Sequence, residues 1–247
     1  MAGRPRSVME RAYAEIRKRF MTLDLAPGSV IDDMQVSAEL GISRTPVREA
    51  LFLLASEGLV VARPGASGFL VKPLDVLDIS NLFEAHMVAA RAIGRLVAVR
   101  CTSADLTKLK AAEKKVIRAI EKQRPADVAA SNAELHRLEA SIAGNGYLSA
   151  MACSIHDQGQ RLGYLAFGGA TDWATLHEHF NKVQNDHRGL IEAYVSHDPD
   201  VAEVIAGRHV TLFRDRIIGF LSENTAGSIH LDGDILSSMR LPGSDLE

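Results

Sequence analysis

The stretch LGISRTPVREAL, Leu40 to Leu51, leaves few folds open to the chain around it. Gly41 closes a preceding helix, and Ser43 or Thr45 can cap the next one. Pro46 fits a first turn, where its missing N–H costs nothing. Val47, Ala50, Leu51 and Leu54 then recur at i, i+3, i+4 and i+7, which gives one core-facing stripe. Arg44 and Arg48 lie four apart on another face. An arginine in a first turn opposes the helix macrodipole, and an anion in contact turns that cost into a gain. Free N–H groups and the hydroxyls of Ser43 and Thr45 suit phosphate oxygens, and an arginine fork reads guanine in the major groove. The plain alternative is a solvated helix face.

The flanking sequence narrows the choice. Residues 7–24 carry Val8, Ala12, Ile16 and Phe20 at helical spacing, and Pro27-Gly28 ends that segment. A second helix is expected at 33–40 and a third at 44–57. Leu59–Ala62 and Phe69–Val71 are short β-prone runs joined by RPGASG, the pattern of a hairpin. Three helices and a hairpin describe a winged helix-turn-helix over residues 1–74. Pro73 ends it. From Asp75 to Asn224 the pattern is helical throughout. Helices are expected at 75–101, 103–123, 126–143, 146–167, 172–196 and 199–222, with breaks such as Arg124-Pro125, Gly144-Asn145-Gly146 and Asp198-Pro199. The fold is therefore mainly α: an N-terminal winged helix with a small β-hairpin, an all-α bundle over 75–224, and a tail over 225–247 expected to be mobile.

Composition excludes several classes. A net charge of −3 advertises no broad affinity for nucleic acid, so any DNA contact must be local. Cys101 and Cys153 form no C-x-x-C and give no disulfide framework. There is no apolar leader and no run near membrane-spanning length, so a cytoplasmic protein without a membrane partner is expected.

Nine histidines remain. His177-Glu178 begins an H-E-x-x-H pattern, but the fifth position is Asn181, so a second ligand is missing. His156, His177, His197 and His230 are expected to be surface or locally bonded groups. Asn132 and His136 stand one turn apart on one helix, while His187 and His209 occupy two others. Each shares its face with apolar residues, so each alone reads more readily as a core histidine than as a ligand. Spacing cannot show whether they converge.

The segment from Pro27 to Val71 resembles the winged helix of the GntR family of bacterial transcription regulators. Pro27-Gly28, Gly41, Ser43 to Leu51 and Glu57-Gly58-Leu59-Val60 carry the likeness. The resemblance implies that Ser43, Arg44, Thr45 and Arg48 meet an operator and that the wing near Gly65 to Gly68 reaches the minor groove. Ser67 stands where the family often has arginine. The helical half resembles the ligand-binding FCD domain of the family's FadR branch. By that likeness Asn132, His136, His187 and His209 would hold a divalent metal, Zn²⁺ first, with Ni²⁺ or Mn²⁺ as alternatives. Gly144-Asn145 fits the end of the motif helix. The chain departs from the family at Asn132, which replaces an aspartate. Three imidazoles and an amide would leave the cation uncompensated until an anionic effector bound. It departs again where an arginine and glutamate of the family fall on His86 and Ala90. Arg91, Arg95 and Arg161 are candidate partners for an effector carboxylate. The resemblance further implies a homodimer on a pseudo-palindromic operator and a small organic acid as effector.

Two rivals to a regulator stand. One is a metal-dependent hydrolase using three histidines. Against it, Glu134 and Glu139 are expected on other helix faces than His136, so no general base is placed. The other is a helical interaction domain with no small ligand.

Overall fold

The computed structural model describes residues 7–63, 68–73, 76–168 and 173–224. The first helix, α1 (Val8–Met21), opens with a capping box. Ser7 Oγ accepts from Glu10 N, and Glu10 Oε2 accepts from Ser7 N. Its Ala12, Ile16 and Phe20 are buried. After it come β1 (Val30–Ile31), α2 (Asp33–Leu40), α3 (Arg44–Ser56), β2 (Val60–Ala62) and β3 (Phe69–Val71). Asp32 caps α2 by accepting from Met34 N and Gln35 N. Gly41, left-handed at φ 63°, turns the chain into α3.

The sheet differs from the expected hairpin. It has three antiparallel strands in the order β1-β3-β2, with Ile31 opposite Phe69 and Val60 opposite Val71. A two-residue strand carries no readable period. The turn at Pro27-Gly28 makes it, and Gly28 N and Val71 N close the pairing through Val71 O and Ser29 O. One apolar core unites α1, α3 and the sheet through Ile16, Phe20, Leu51, Leu54, Leu59 and Phe69, all essentially inaccessible.

Six helices follow: α4 (Val76–Arg100), α5 (Ser103–Glu121), α6 (Pro125–Ile142), α7 (Gly146–Gly168), α8 (Trp173–Val195) and α9 (Pro199–Asn224). The sequence punctuation accounts for their ends. Thr102 and Asp105 form a capping box on α5, left-handed Gly144 ends α6, and Asn145 and Asp198 cap α7 and α9. Gly94 lets α4 and α9 approach closely, since a Cβ there would lie 3.1 Å from Ala202 O. Two apolar clusters fill the bundle. One centres on Val97, Leu109, Val116 and Tyr194, the other on Phe83, Leu162, Phe180 and Ile217. Among the described residues no helix is long and apolar enough to cross a membrane. Gly65, Ser67, His230 and the expected tail lie outside the described residues.

Candidate nucleic-acid interface and buried histidine site

Val47, Ala50, Leu51 and Leu54 are fully buried, which turns the other faces of α3 outward. Ser43, Arg44 and Thr45 are exposed at its start. Ser43 occupies the cap position, yet its hydroxyl makes no capping bond, so that expectation is corrected. Pro46, third in the helix, has no N–H for a serine hydroxyl to cap. A feature that sequence reasoning missed organises this end. Buried Asp33, at the start of α2, accepts from Arg44 Nη2 at 2.8 Å through one oxygen and from Arg48 Nη1 at 2.9 Å through the other. Burial would raise the Asp33 pKa, but hydrogen bonds from Arg48 and Arg44 outweigh it and hold the carboxyl below its ordinary value. Arg48 also lies 5.8 Å over the Phe52 ring. One carboxylate thus orients two half-exposed guanidiniums on the surface that carries Ser43 and Thr45. Gly68, with φ 112°, precedes β3, and its carbonyl accepts from Arg63 N.

The second site is buried in the bundle. His136 of α6, His187 of α8 and His209 of α9 come together, with one ring nitrogen of each within 4.8 Å of the others. His136 Nε2 lies 3.2 Å from His209 Nε2. The outer nitrogens face carboxylates. His136 Nδ1 meets Glu139 Oε2 at 2.7 Å, and His187 Nδ1 meets Glu113 Oε2 at 2.6 Å. His209 Nδ1 is 3.6 Å from Asp186 Oδ2, too long for a hydrogen bond. Tyr194 donates to the other oxygen of Glu139 at 2.9 Å. Asn132 Oδ1 and His187 Nε2 are buried with no partner among the described residues.

Two more histidines belong to this cluster. His156 of α7 stacks on His136 with centroids 5.3 Å apart, and His86 of α4 meets His156 edge-on at 5.2 Å. The expectation that His156 is a surface group is corrected: α7 turns it inward, where it is 8% exposed. Burial, reinforced by the neighbouring His136, lowers His86 to about 3 and holds His156 well below its ordinary value. Burial likewise takes His209 to about 3. His177 is locally bonded, to Asn181, whereas His197 is at the surface and bonds the distant Ala98 O of α4. The placement of Glu139 is also corrected. Residues three apart on a helix lie about 60° apart around its axis, within side-chain reach, so it bonds His136. Glu134 does point away, pairing with Lys115.

None of the three candidate effector arginines lines the cavities beside these histidines. Arg91 and Arg95 run along the outer edge of α4, where Glu203 pairs with both and Asp200 with Arg95. Arg161 is fully buried, but between the two halves of the chain. Its guanidinium lies 4.0 Å over the Phe20 ring and donates to Lys72 O and Gln158 Oε1. Burial lowers its pKa to about 10. Asp157 beside it accepts from Arg17 of α1 at 2.5 Å and from Arg137 of α6, and Gln158 donates to Gly58 O.

Comparison with known proteins places this geometry. Residues 8–71 match the bacterial regulatory proteins of the gntR family, and residues 81–212 match the FCD domain. The Uxu operon transcriptional regulator of Escherichia coli is 22% identical, over 96% of this chain and 97% of its own length. An HTH-type regulator from an unstable DNA locus of Streptomyces ambofaciens is 45% identical over 30% of this chain. The chain spans 32%, 65% and 40% of the lengths of the first curated relatives it matches. Among solved structures, E. coli McbR/YncC aligns with a TM-score of 0.74 at 18% identity, covering 89% of this chain and 99% of that one. A GntR transcriptional regulator from Rhodococcus aligns at 0.68 and 19% identity, covering 85% and 97%. At these identities the two structures speak for the fold alone. The family matches and named relatives are transcription regulators rather than enzymes, so the hydrolase reading falls away. The chain belongs to the GntR family of bacterial transcription regulators, in the branch whose second domain is an FCD domain.

Proposed function

We propose that this regulator's affinity for its operator is set by a small organic effector bound in the FCD domain, beside a divalent metal held by Asn132, His136, His187 and His209. The observation that carries effector control is a six-residue stretch of α7. His156, Gly159 and Gln160 line the cavity next to the histidines. Asp157, Gln158 and Arg161, interleaved with them, grip the winged domain through Arg17, Gly58 and Lys72. Helix α7 is rigid over this length, so a ligand that shifts the cavity wall also shifts the grip. Operator affinity then changes by as much as the ligand prefers one arrangement over the other.

The residues fit a metal. Three imidazoles and an amide oxygen suit Zn²⁺, with Ni²⁺ or Mn²⁺ as alternatives. The unpartnered Asn132 Oδ1 and His187 Nε2 would otherwise remain buried polar atoms without bonds. Charge balance is better than the neutral donor set implies. Glu113 and Glu139 sit behind two of the imidazoles, and among the described residues neither pairs with Lys or Arg. They offset a divalent cation from one bond further out, and hold each imidazole with its inner nitrogen free. Asp186 is already offset by Arg208. A metal held there would supply a positive charge to an anionic ligand.

Ser43, Arg44, Thr45 and Arg48 are taken as the contacts to double-stranded operator DNA, with the wing at Gly65 and Gly68 alongside. A homodimer in the cytoplasm would set two such helices on half-sites of a pseudo-palindrome. Winged-helix and effector units are taken as residues 1–74 and 75–224. The test selects operator fragments from random duplex DNA, then measures affinity with and without a panel of short organic acids on Zn²⁺-loaded protein. A change of fivefold or more with at least one acid is expected. Unchanged affinity across the panel would overturn effector control.

A further inference from the structure

The cavity beside the histidines has two unlike ends. At one end His86, His136, His156 and His209 present imidazoles. The other is walled by Phe167 and Phe180, about two to three helical turns from His187 and His156, with Val183 and Phe213 between. Its free volume is about 50 Å³, room for roughly three to five waters. A smaller space of about 30 Å³ adjoins it across the same four histidines. Among the described residues no lysine or arginine lines either space. The other polar groups on its wall, apart from Asn132 beside His136, are Gln160 and His179, and burial lowers His179 to about 4, so it brings no charge.

We infer that the effector is a compact monocarboxylate, its acid head seated at the histidine end and a short apolar tail packed against Phe167, Phe180 and Phe213. This rests on the reading that places the effector at this site. The chemistry follows from what each end can compensate. A metal-bearing histidine end stabilises one anionic head. A second carboxylate at the far end would be buried against aromatic rings with no lysine or arginine in the lining to pair with, which is unfavourable. A hydroxyl there gives up its water bonds for at most an imidazole or an amide, a smaller loss. An apolar tail loses nothing and gains contact with three rings. Arg91 and Arg95 are tied to Glu203 outside, Arg161 is held at the domain junction, and Arg216, near His179, donates to Ala166 O rather than lining the cavity.

Three acids of equal chain length isolate the tail: butyrate, 4-hydroxybutyrate and succinate. Full-length protein is first titrated with Zn²⁺ alone, and each acid is then titrated by calorimetry into the Zn²⁺-loaded and metal-free forms. Butyrate is expected to bind the loaded form at least tenfold more tightly than succinate, with 4-hydroxybutyrate between them. Succinate binding as tightly as butyrate overturns the inference, as does failure of all three to bind the loaded form. Zn²⁺ uptake is read separately. Butyrate binding equally well to both forms, with the same order among the acids, overturns the metal's part in the proposed function and leaves the apolar-tail inference standing.

Discussion

Glu113 offers the sharpest perturbation of the histidine site. It sits on α5, is 8% exposed, and accepts a hydrogen bond from His187 Nδ1 at 2.6 Å. Glu113→Gln keeps the shape and an accepting oxygen but removes the charge. A cation held at the inner nitrogen would lie about 6–7 Å from that carboxylate, given a metal–nitrogen bond of about 2 Å. At an effective dielectric of about 20 the attraction lost to a +2 ion is about 5 kcal/mol, an upper bound because the ligands share the ion's charge. Removing a partner behind a metal-ligating histidine typically costs about 10–100-fold in affinity, about 1.4–2.7 kcal/mol, and a loss of that size is expected. Competition against a chromophoric chelator measures it. Glu139→Gln should behave alike, while Glu134→Gln, exposed and paired with Lys115, should change affinity less than twofold. Equal Zn²⁺ affinity in the native protein and in both buried variants would refute the charge-balance reasoning.

At the DNA surface, Arg44→Ala and Arg48→Ala should each weaken operator binding by about 1–3 kcal/mol without unfolding the protein. A gel shift unchanged in both would remove α3 from the interface. At the junction, Arg17→Gln breaks the contact with Asp157 and should leave effector binding intact while shrinking the effector's influence on operator affinity. An unaltered influence would exclude this route. The buried histidines predict a pH dependence of stability. His86 stays neutral in the fold down to about 3, whereas in the unfolded chain it titrates near the ordinary value of about 6.5. Below that value the unfolded chain takes up a proton that the fold refuses. Stability of the metal-free protein should therefore fall as pH drops from 7, by about 2 kcal/mol at pH 5 from His86 alone. A melting temperature flat over that range contradicts the burial of a neutral imidazole.

The fold was legible where one local signal sufficed. Gly41, Gly144 and Asn145 each mark a helix end by their own chemistry, and the stripe Val47-Ala50-Leu51-Leu54 declares its buried face. Strand β1 was not legible, because two residues have no period and their partner lies 38 or more positions away. The site was legible only through family resemblance. Spacing places Asn132 and His136 on one face, but nothing in it brings α8 and α9 beside α6. Glu113 could not be read at all, since its partner His187 is 74 residues away. Glu139 could have been read, because an i+3 neighbour is within reach of a histidine. Arg161 reads as an ordinary helix arginine until packing of α1 on α7 sets Phe20 over it. Asp33 likewise looks like a first-turn acid, and only the Gly41 turn brings α3 back to it.

The central claim is that His136, His187, His209 and Asn132 hold a metal against which an effector binds. Metal content, measured by mass spectrometry on protein purified without an affinity tag, tests it most directly. The account predicts near one divalent ion per chain, or uptake of one Zn²⁺ per chain by the metal-free protein, abolished or strongly weakened in His187→Ala. No metal in the purified protein, together with no Zn²⁺ uptake by it or by Asn132→Asp, would contradict the account.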